Sequence, residues 1–350
     1  MAFSSAELAN IANAALDYYI DKGKVYANSL QDKPLLAAMD KGSKTFPGGK
    51  ENVSLAVKGT YTTTVAGYTH NDTVSYANPA NINRVNYAWK EHHSGISLTL
   101  TELKKDGISV TDSLNSASTS NHSGRDSHVL ANLLEDKLDD MMEGYSRGMN
   151  TLLYGDGSAS ATALAGIRSA IVDNPAATGT TVGGLSTVTN TWWRNRANVA
   201  ITTSATGQEL IETLHTEMRQ LKRFGGKPTI AVCGSDFLDR LADELRRNGN
   251  YSNTGFANRQ DISVGEIAYN GLVFQYDPSL DDLTISGKTP SKRCYIIDPS
   301  KLCLYYMDGE KMKRHAPARP ATQYVMYRAI TTTAVLTASQ LNCHGVYEIA

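Results

Sequence analysis

The sequence predicts a mixed α+β protein, and three stretches carry that prediction. A long helical run covers 127–154, alternating extended runs lie within 50–101, and a helix–strand–helix unit occupies 206–247. The order is strand-rich, helical, mixed, then strand-rich again, which predicts one domain whose two ends close around an inserted α/β domain.

The helical run is the clearest element. Leu130, Leu134, Leu138, Met141, Tyr145, Met149 and Leu152 recur in steps of four, four, three, four, four and three, the spacing of one helix face. Asp126 or Ser127 caps its start, and Gly155 with Gly157 ends it. At 1.5 Å per residue the helix is ~40 Å long, against a mean of about 11–12 residues in globular proteins. The opposite face carries Glu135, Asp136, Asp139, Asp140 and Glu143 and is expected to be solvated.

Ahead of it, Phe3, Leu8, Ile11, Ala15, Leu16 and Tyr19 predict a short amphipathic helix over 3–22, followed by Gly23 and a turn-prone segment at 40–49. That helix either packs on its own domain or docks as an arm on a neighbouring subunit. From 50 to 101 the period changes to two: Val53, Leu55 and Val57, then Val85, Tyr87 and Trp89, then Ile96, Leu98 and Leu100. Between these lies 60–83, rich in Thr and Tyr, with a turn at Asn78-Pro79. A hairpin with so little apolar content cannot bury itself. It either projects to find partners on another copy of the chain or is a loose loop.

A Ser/Asn-rich linker covers 113–125, and 159–190 reads as a Gly/Thr-rich loop that ends at Trp192 and Trp193. That pair would anchor a domain junction or a subunit contact. Thr206 and Glu209 form a capping box for a helix to 224, with Leu210, Leu214, Met218 and Leu221 on its face and Gly225-Gly226 as its stop. A buried strand follows at 229–233, then a helix at 235–247 presenting Phe237, Leu238, Leu241 and Leu245. Further strands read at 271–276, 293–297, 302–307, 323–336 and 344–349.

Composition excludes more than it assigns. With 34 basic and 35 acidic residues among 350, the net charge of −1 argues against gripping nucleic acid by charge. The basic groups Arg219, Lys222, Arg223 and Lys311, Lys313, Arg314, Arg319 are too small for such a footprint. Cys233, Cys294, Cys303 and Cys343 are widely spaced and read as small buried hydrophobes. The first twenty residues hold Glu7 and Asp17 but no Lys or Arg, unlike a signal peptide. No run approaches the ~18 apolar residues of a membrane span, so a soluble cytosolic product is expected.

No catalytic, cofactor-binding or metal-binding residue is expected. Gly226-Lys227 is followed by Pro228, which breaks a P-loop, and Ser160 stands where Gly155-x-Gly157 would need a third glycine. His92 and His93 are adjacent on a strand and point to opposite faces. The residues expected at subunit contacts are Tyr61, Tyr68, Tyr76, Trp192 and Trp193, because large aromatics often dominate interface energy.

The series of arm, extended hairpin, long helix closing on Leu152-Leu153-Tyr154-Gly155-Asp156-Gly157, Trp192-Trp193-Arg194-Asn195, central α/β domain and final long strand resembles one family. It is similar, over essentially the whole chain, to the major capsid proteins of tailed bacteriophages, the Johnson fold of phage Hong Kong 97. The resemblance implies an N-terminal arm at 1–49 and an E-loop hairpin at 50–101. It implies a P domain at 102–192 with its spine helix at 127–154, an A domain at 193–308, and a return to the P domain at 309–350.

The resemblance further implies a non-enzymatic coat protein, assembled in the host cytoplasm as hexamers and pentamers into an icosahedral virion shell. Double-stranded DNA would be enclosed without sequence-specific binding, past an acidic helix face turned inward. A separate scaffolding protein, a portal and a decoration protein would be its other partners, with no membrane and no cofactor. An encapsulin-like compartment shell is the alternative within the same fold.

Overall fold

The computed structural model describes residues 3–4, 31–79, 81–105, 110–111, 124–204, 207–247, 266–315 and 325–350. The chain divides into two units. One collects Met1–Gln31, Glu91–Met149 and Met307–Thr333; the other collects Asp32–Lys90, Asn150–Tyr306 and Ala334–Ala350.

In the first unit the long helix, Gly124–Leu153, is the dominant element. Leu138 and Met141 bury against Ile330, with Ile96, Met142, Tyr145 and Met312 packed around them. The predicted apolar face is therefore real from Leu138 onward. The expected wet acidic face is only partly so. Asp140 is exposed, but Asp139 and Glu143 are half-buried, and Glu143 accepts a 2.6 Å hydrogen bond from Arg147 one turn on. The side chains of Glu135 and Asp136 lie outside the described residues.

Strand Lys90–Thr99 pairs with the long strand Val325–Ala338, and Lys313–His315 pairs with the same strand, antiparallel, at Ala329–Thr331. Leu100, expected at the end of a strand, instead opens a short helix, Leu100–Lys105. Glu102 in that helix closes the turn by accepting from the Thr99 amide at 3.0 Å. Phe3–Ser4, expected to begin a helix, pair in parallel with Val110–Thr111. The rest of the expected helix over 3–22 lies outside the described residues.

The second unit is built on a six-stranded sheet. Its order is Glu266–Tyr269, Leu272–Tyr276, Ile230–Cys233, Arg293–Ile297, Gly345–Ile349, Arg196–Ile201. Alternation assigns its two faces. Ile230 and Val232 join one apolar cluster, while Ala231 and Cys233 join a second. Helices Glu209–Lys222 and Ser235–Arg247 cover the second face with Leu210, Leu214, Met218, Leu221, Phe237, Leu238 and Leu241.

The terminal strand, Gly345–Ile349, lies between Arg293–Ile297 and Arg196–Ile201. Val346 feeds one cluster and Tyr347 with Ile349 the other, so this strand requires cover on both faces and a central place in a sheet. Thr206, read as one half of a capping box, lies outside the described residues; the helix begins at Glu209 after Gln208, whose side chain makes no cap bond. Its first free amides, on Leu210 and Ile211, donate instead to Oε2 of the buried Glu244, each at 3.1 Å.

One helix was not foreseen. Pro34–Lys41 starts with Pro at its first position, where the missing N–H costs nothing, and buries Leu35 and Met39. All four cysteines are buried with free thiols, in line with their reading as small hydrophobes.

Candidate assembly surface

The hairpin strands Asn52–Lys58 and Ile82–Ala88 pair antiparallel without a slip, from Asn52↔Ala88 to Lys58↔Ile82. Their period-2 pattern puts Val53, Val57, Val85 and Tyr87 on one buried face. The Tyr87 hydroxyl donates to the Ala338 carbonyl at 3.0 Å, and burial pushes its pKa up to about 12.

Past Lys58 and Ile82 the ladder ends. At the tip, 59–81, Asp72 closes a local turn by accepting from the Thr69 amide (2.7 Å) and hydroxyl (2.9 Å), which hold its carboxyl below the usual range. The Asn81 side-chain amide donates to the Thr60 carbonyl, and the Lys58 ammonium stands 4.9 Å from the Tyr61 ring centroid.

This tip is where the apolar surface of the described residues concentrates. Tyr61, Val65, Tyr68, Val74, Tyr76 and Ile82 are all exposed, Tyr76 to 93%. Elsewhere only Val188 and Phe224 among the described large hydrophobics stand out in this way. Scattered exposed hydrophobics are ordinary, whereas a contiguous set marks an interaction surface. Asp72 is the tip's one acidic residue, and it has no Lys or Arg.

The five residues expected at contacts therefore separate. Tyr61, Tyr68 and Tyr76 share the exposed tip. Trp193 is 1% exposed, and its indole N–H donates to the Val182 carbonyl at 3.1 Å. It is a core residue with no surface to offer a neighbour, which corrects that expectation. Trp192 is half-buried, edge-on to Trp193 at 5.7 Å between centroids, and lies against Gly59 at the foot of the tip.

Sequence reasoning missed what holds that foot. The stretch read as a loop, 159–190, is packed through Leu164, Ile167, Ile171 and Val182. The Gly183 carbonyl accepts from the Asn86 amide at 3.0 Å, and Lys90 donates to the Ala161 carbonyl at 2.5 Å. Gly183 and Gly184 turn with φ of 60° and 81°, and a Cβ on Gly183 would meet Val85 at 2.9 Å. The Gly-Gly pair was the available signal.

A cleft of about 260 Å³ beside Tyr87, Leu164, Gly183 and Leu336 holds no base or nucleophile pair. Among the described residues, no His/Cys/Asp/Glu grouping could hold a metal, and no helix is long and apolar enough to cross a membrane.

Comparison with known proteins agrees with the fold. A family model described as SU10 major capsid protein matches residues 23–347. Among solved structures, a chain of the cyanophage A-1(L) capsid asymmetric unit is 16% identical with a TM-score of 0.62, covering 93% of this chain and 94% of that one. A chain from Mycobacterium phage Bobi is 12% identical, TM-score 0.53, covering 93% and 95%. A chain from the capsid of a native GTA particle is also 12% identical, TM-score 0.51, with the same coverages. At these identities the likeness establishes the fold. No curated protein gives a significant sequence match.

Proposed function

The chain belongs to the SU10 major capsid protein family, and from that premise we propose how it makes its contacts. It is the major capsid protein of a tailed phage, a structural component of the virion that assembles with copies of itself into an icosahedral shell.

The observation that carries the proposal is the hairpin tip: nearly uncharged, with Tyr61, Val65, Tyr68, Val74 and Tyr76 all exposed among the described residues. Its occupant is a neighbouring copy. Covering a side chain the size of Val or Tyr is worth roughly 1.5–3 kcal/mol when burial is complete, and a closed ring repeats that gain at every contact. In this reading 50–101 is the E-loop, 102–192 the P domain, 193–308 the A domain with Gly345–Ile349 added to its sheet, and 1–49 the arm.

The subunits form hexamers and pentamers, and the near-neutral chain encloses double-stranded DNA without gripping it. A separate scaffolding protein, a portal and a decoration protein complete the partner set. Electron microscopy of the expressed chain, alone and with its neighbouring gene products, tests this. Closed shells, or rings of five and six, are expected; a persistent monomer under all those conditions contradicts it. Particles filled with protein in place of DNA would point to the encapsulin-like use of the fold.

A further inference from the structure

We infer that Gly59 and Trp192 form a stop that sets the direction in which the hairpin tip leaves the subunit, and so act as positioning residues for assembly. The inference rests on the reading of the tip as the contact with a neighbouring copy.

The hairpin is fixed at its base and free at its end. Tyr87 is bonded to Ala338, Asn86 to Gly183, and Lys90 to Ala161, so the strands cannot pivot as a body. Lys58↔Ile82 is the last paired position, which makes Gly59 the first residue whose direction the ladder does not dictate. There the Trp192 indole lies directly on the backbone: a Cβ added to Gly59 would overlap Cδ2, Cε3 and Cγ. Cγ bears the side chain's Cβ, Cδ2 is a ring-fusion carbon and Cε3 its neighbour in the rigid bicycle, so none can swing aside as the end of a flexible side chain would.

Trp192 is itself braced. It stands edge-on against Trp193, which is buried and bonded to Val182. The chain of contacts Gly59–Trp192–Trp193–Val182 thus runs from the core to the foot of the tip. The bond from the Asn81 amide to the Thr60 carbonyl ties the returning leg to the outgoing one, so a single stop directs both. Leverage makes the angle matter. A leg of about ten residues reaches at most about 35 Å, and a tilt of about 10° displaces its end by up to roughly 6 Å. That exceeds the ~4.5 Å within which apolar side chains touch.

The test uses the full chain with Gly59→Ala, Trp192→Ala, Trp192→Phe and the Gly59→Ala/Trp192→Ala pair. Two quantities are read: the Tm of the free subunit, and the yield and diameter of shells by electron microscopy. Gly59→Ala should lower the yield of wild-type-diameter shells about tenfold or more, a loss equivalent to about 1.4 kcal/mol or more, with Tm within about 2 °C of wild type. Trp192→Ala should give shells of mixed diameter, and Trp192→Phe should restore one diameter.

The pair should be no worse than Trp192→Ala alone, because the overlap and the stop are one interaction. Phe237→Leu, in the core under helices Glu209–Lys222 and Ser235–Arg247, is the control, expected to lower Tm without changing shell diameter. Wild-type yield and diameter in Gly59→Ala would overturn the inference, as would an assembly loss matched by Phe237→Leu at equal Tm. If the wild-type chain makes no shell, the underlying assembly reading fails, a result distinct from either of these.

Discussion

In the six-stranded sheet every residue of Arg293–Ile297 and Gly345–Ile349 is buried, whereas Tyr61, Tyr68 and Tyr76 at the hairpin tip stand 67–93% exposed. The polar groups divide in the same way. Arg293, fully buried, meets Asp173 at 2.8 Å, Glu348 at 2.7 Å and the Tyr295 hydroxyl at 3.1 Å. Among the described residues, the tip's polar side chains bond only within the tip, Asp72 to Thr69 and Asn81 to Thr60. One region spends its apolar surface on the subunit, and the other holds it in reserve for a second copy. Folding and assembly are thereby separable, since unfolding the sheet costs the subunit and covering the tip costs it nothing.

The strongest way to break that contrast is to exchange the two outcomes. Tyr61, Tyr68 and Tyr76 changed together to Ser should abolish shells while Tm stays within about 1 °C, as for surface changes away from special features. Phe237→Ala, in the core under the sheet, should do the reverse, costing the subunit about 3–5 kcal/mol through the emptied core site. Size-exclusion chromatography paired with calorimetry reads both.

A smaller effect sharpens the comparison through pH. His344 is buried in the second unit, and its Nδ1 accepts the Asp298 amide at 3.1 Å. Burial pushes its pKa down to about 4, against the opposing pull of the Asp298 charge. The unfolded imidazole takes up a proton near pH ~6.5, while the folded one stays neutral until about 4. Its contribution is therefore complete above pH ~6.5 and is lost as the pH falls toward 4, by on the order of 3 kcal/mol. Urea unfolding at pH 7 and pH 5 should show the fall, and His344→Gln should flatten it.

What the sequence disclosed follows from the range of each signal. The long helix and the hairpin strands are legible because three-to-four-residue and two-residue spacings are local, and Leu138, Met141, Val53 and Val85 fall where those spacings put them. The exposure of Tyr61 and Tyr76 was legible too, since 60–83 holds no apolar pattern to bury them.

Non-local facts were not. Pro34–Lys41 offers one repeat, Leu35 to Met39, too short to separate from the turns around it. Nothing local tells Trp192 from Trp193. The terminal strand's place depends on partners far along the chain, and the first amides of Glu209–Lys222 are met by Glu244 on another helix. The half-burial of Asp139 and Glu143 likewise came from packing that the helix pattern alone does not show.

The central claim, that the tip is unpartnered in the subunit and covered in the shell, is tested most directly by hydrogen exchange of the amides of 60–79 in both states. The account expects near-intrinsic exchange in the free subunit and slowing of about a hundredfold or more in assembled particles, equivalent to about 2.7 kcal/mol or more. Amides already protected in the free subunit, or still unprotected in the shell, would contradict it.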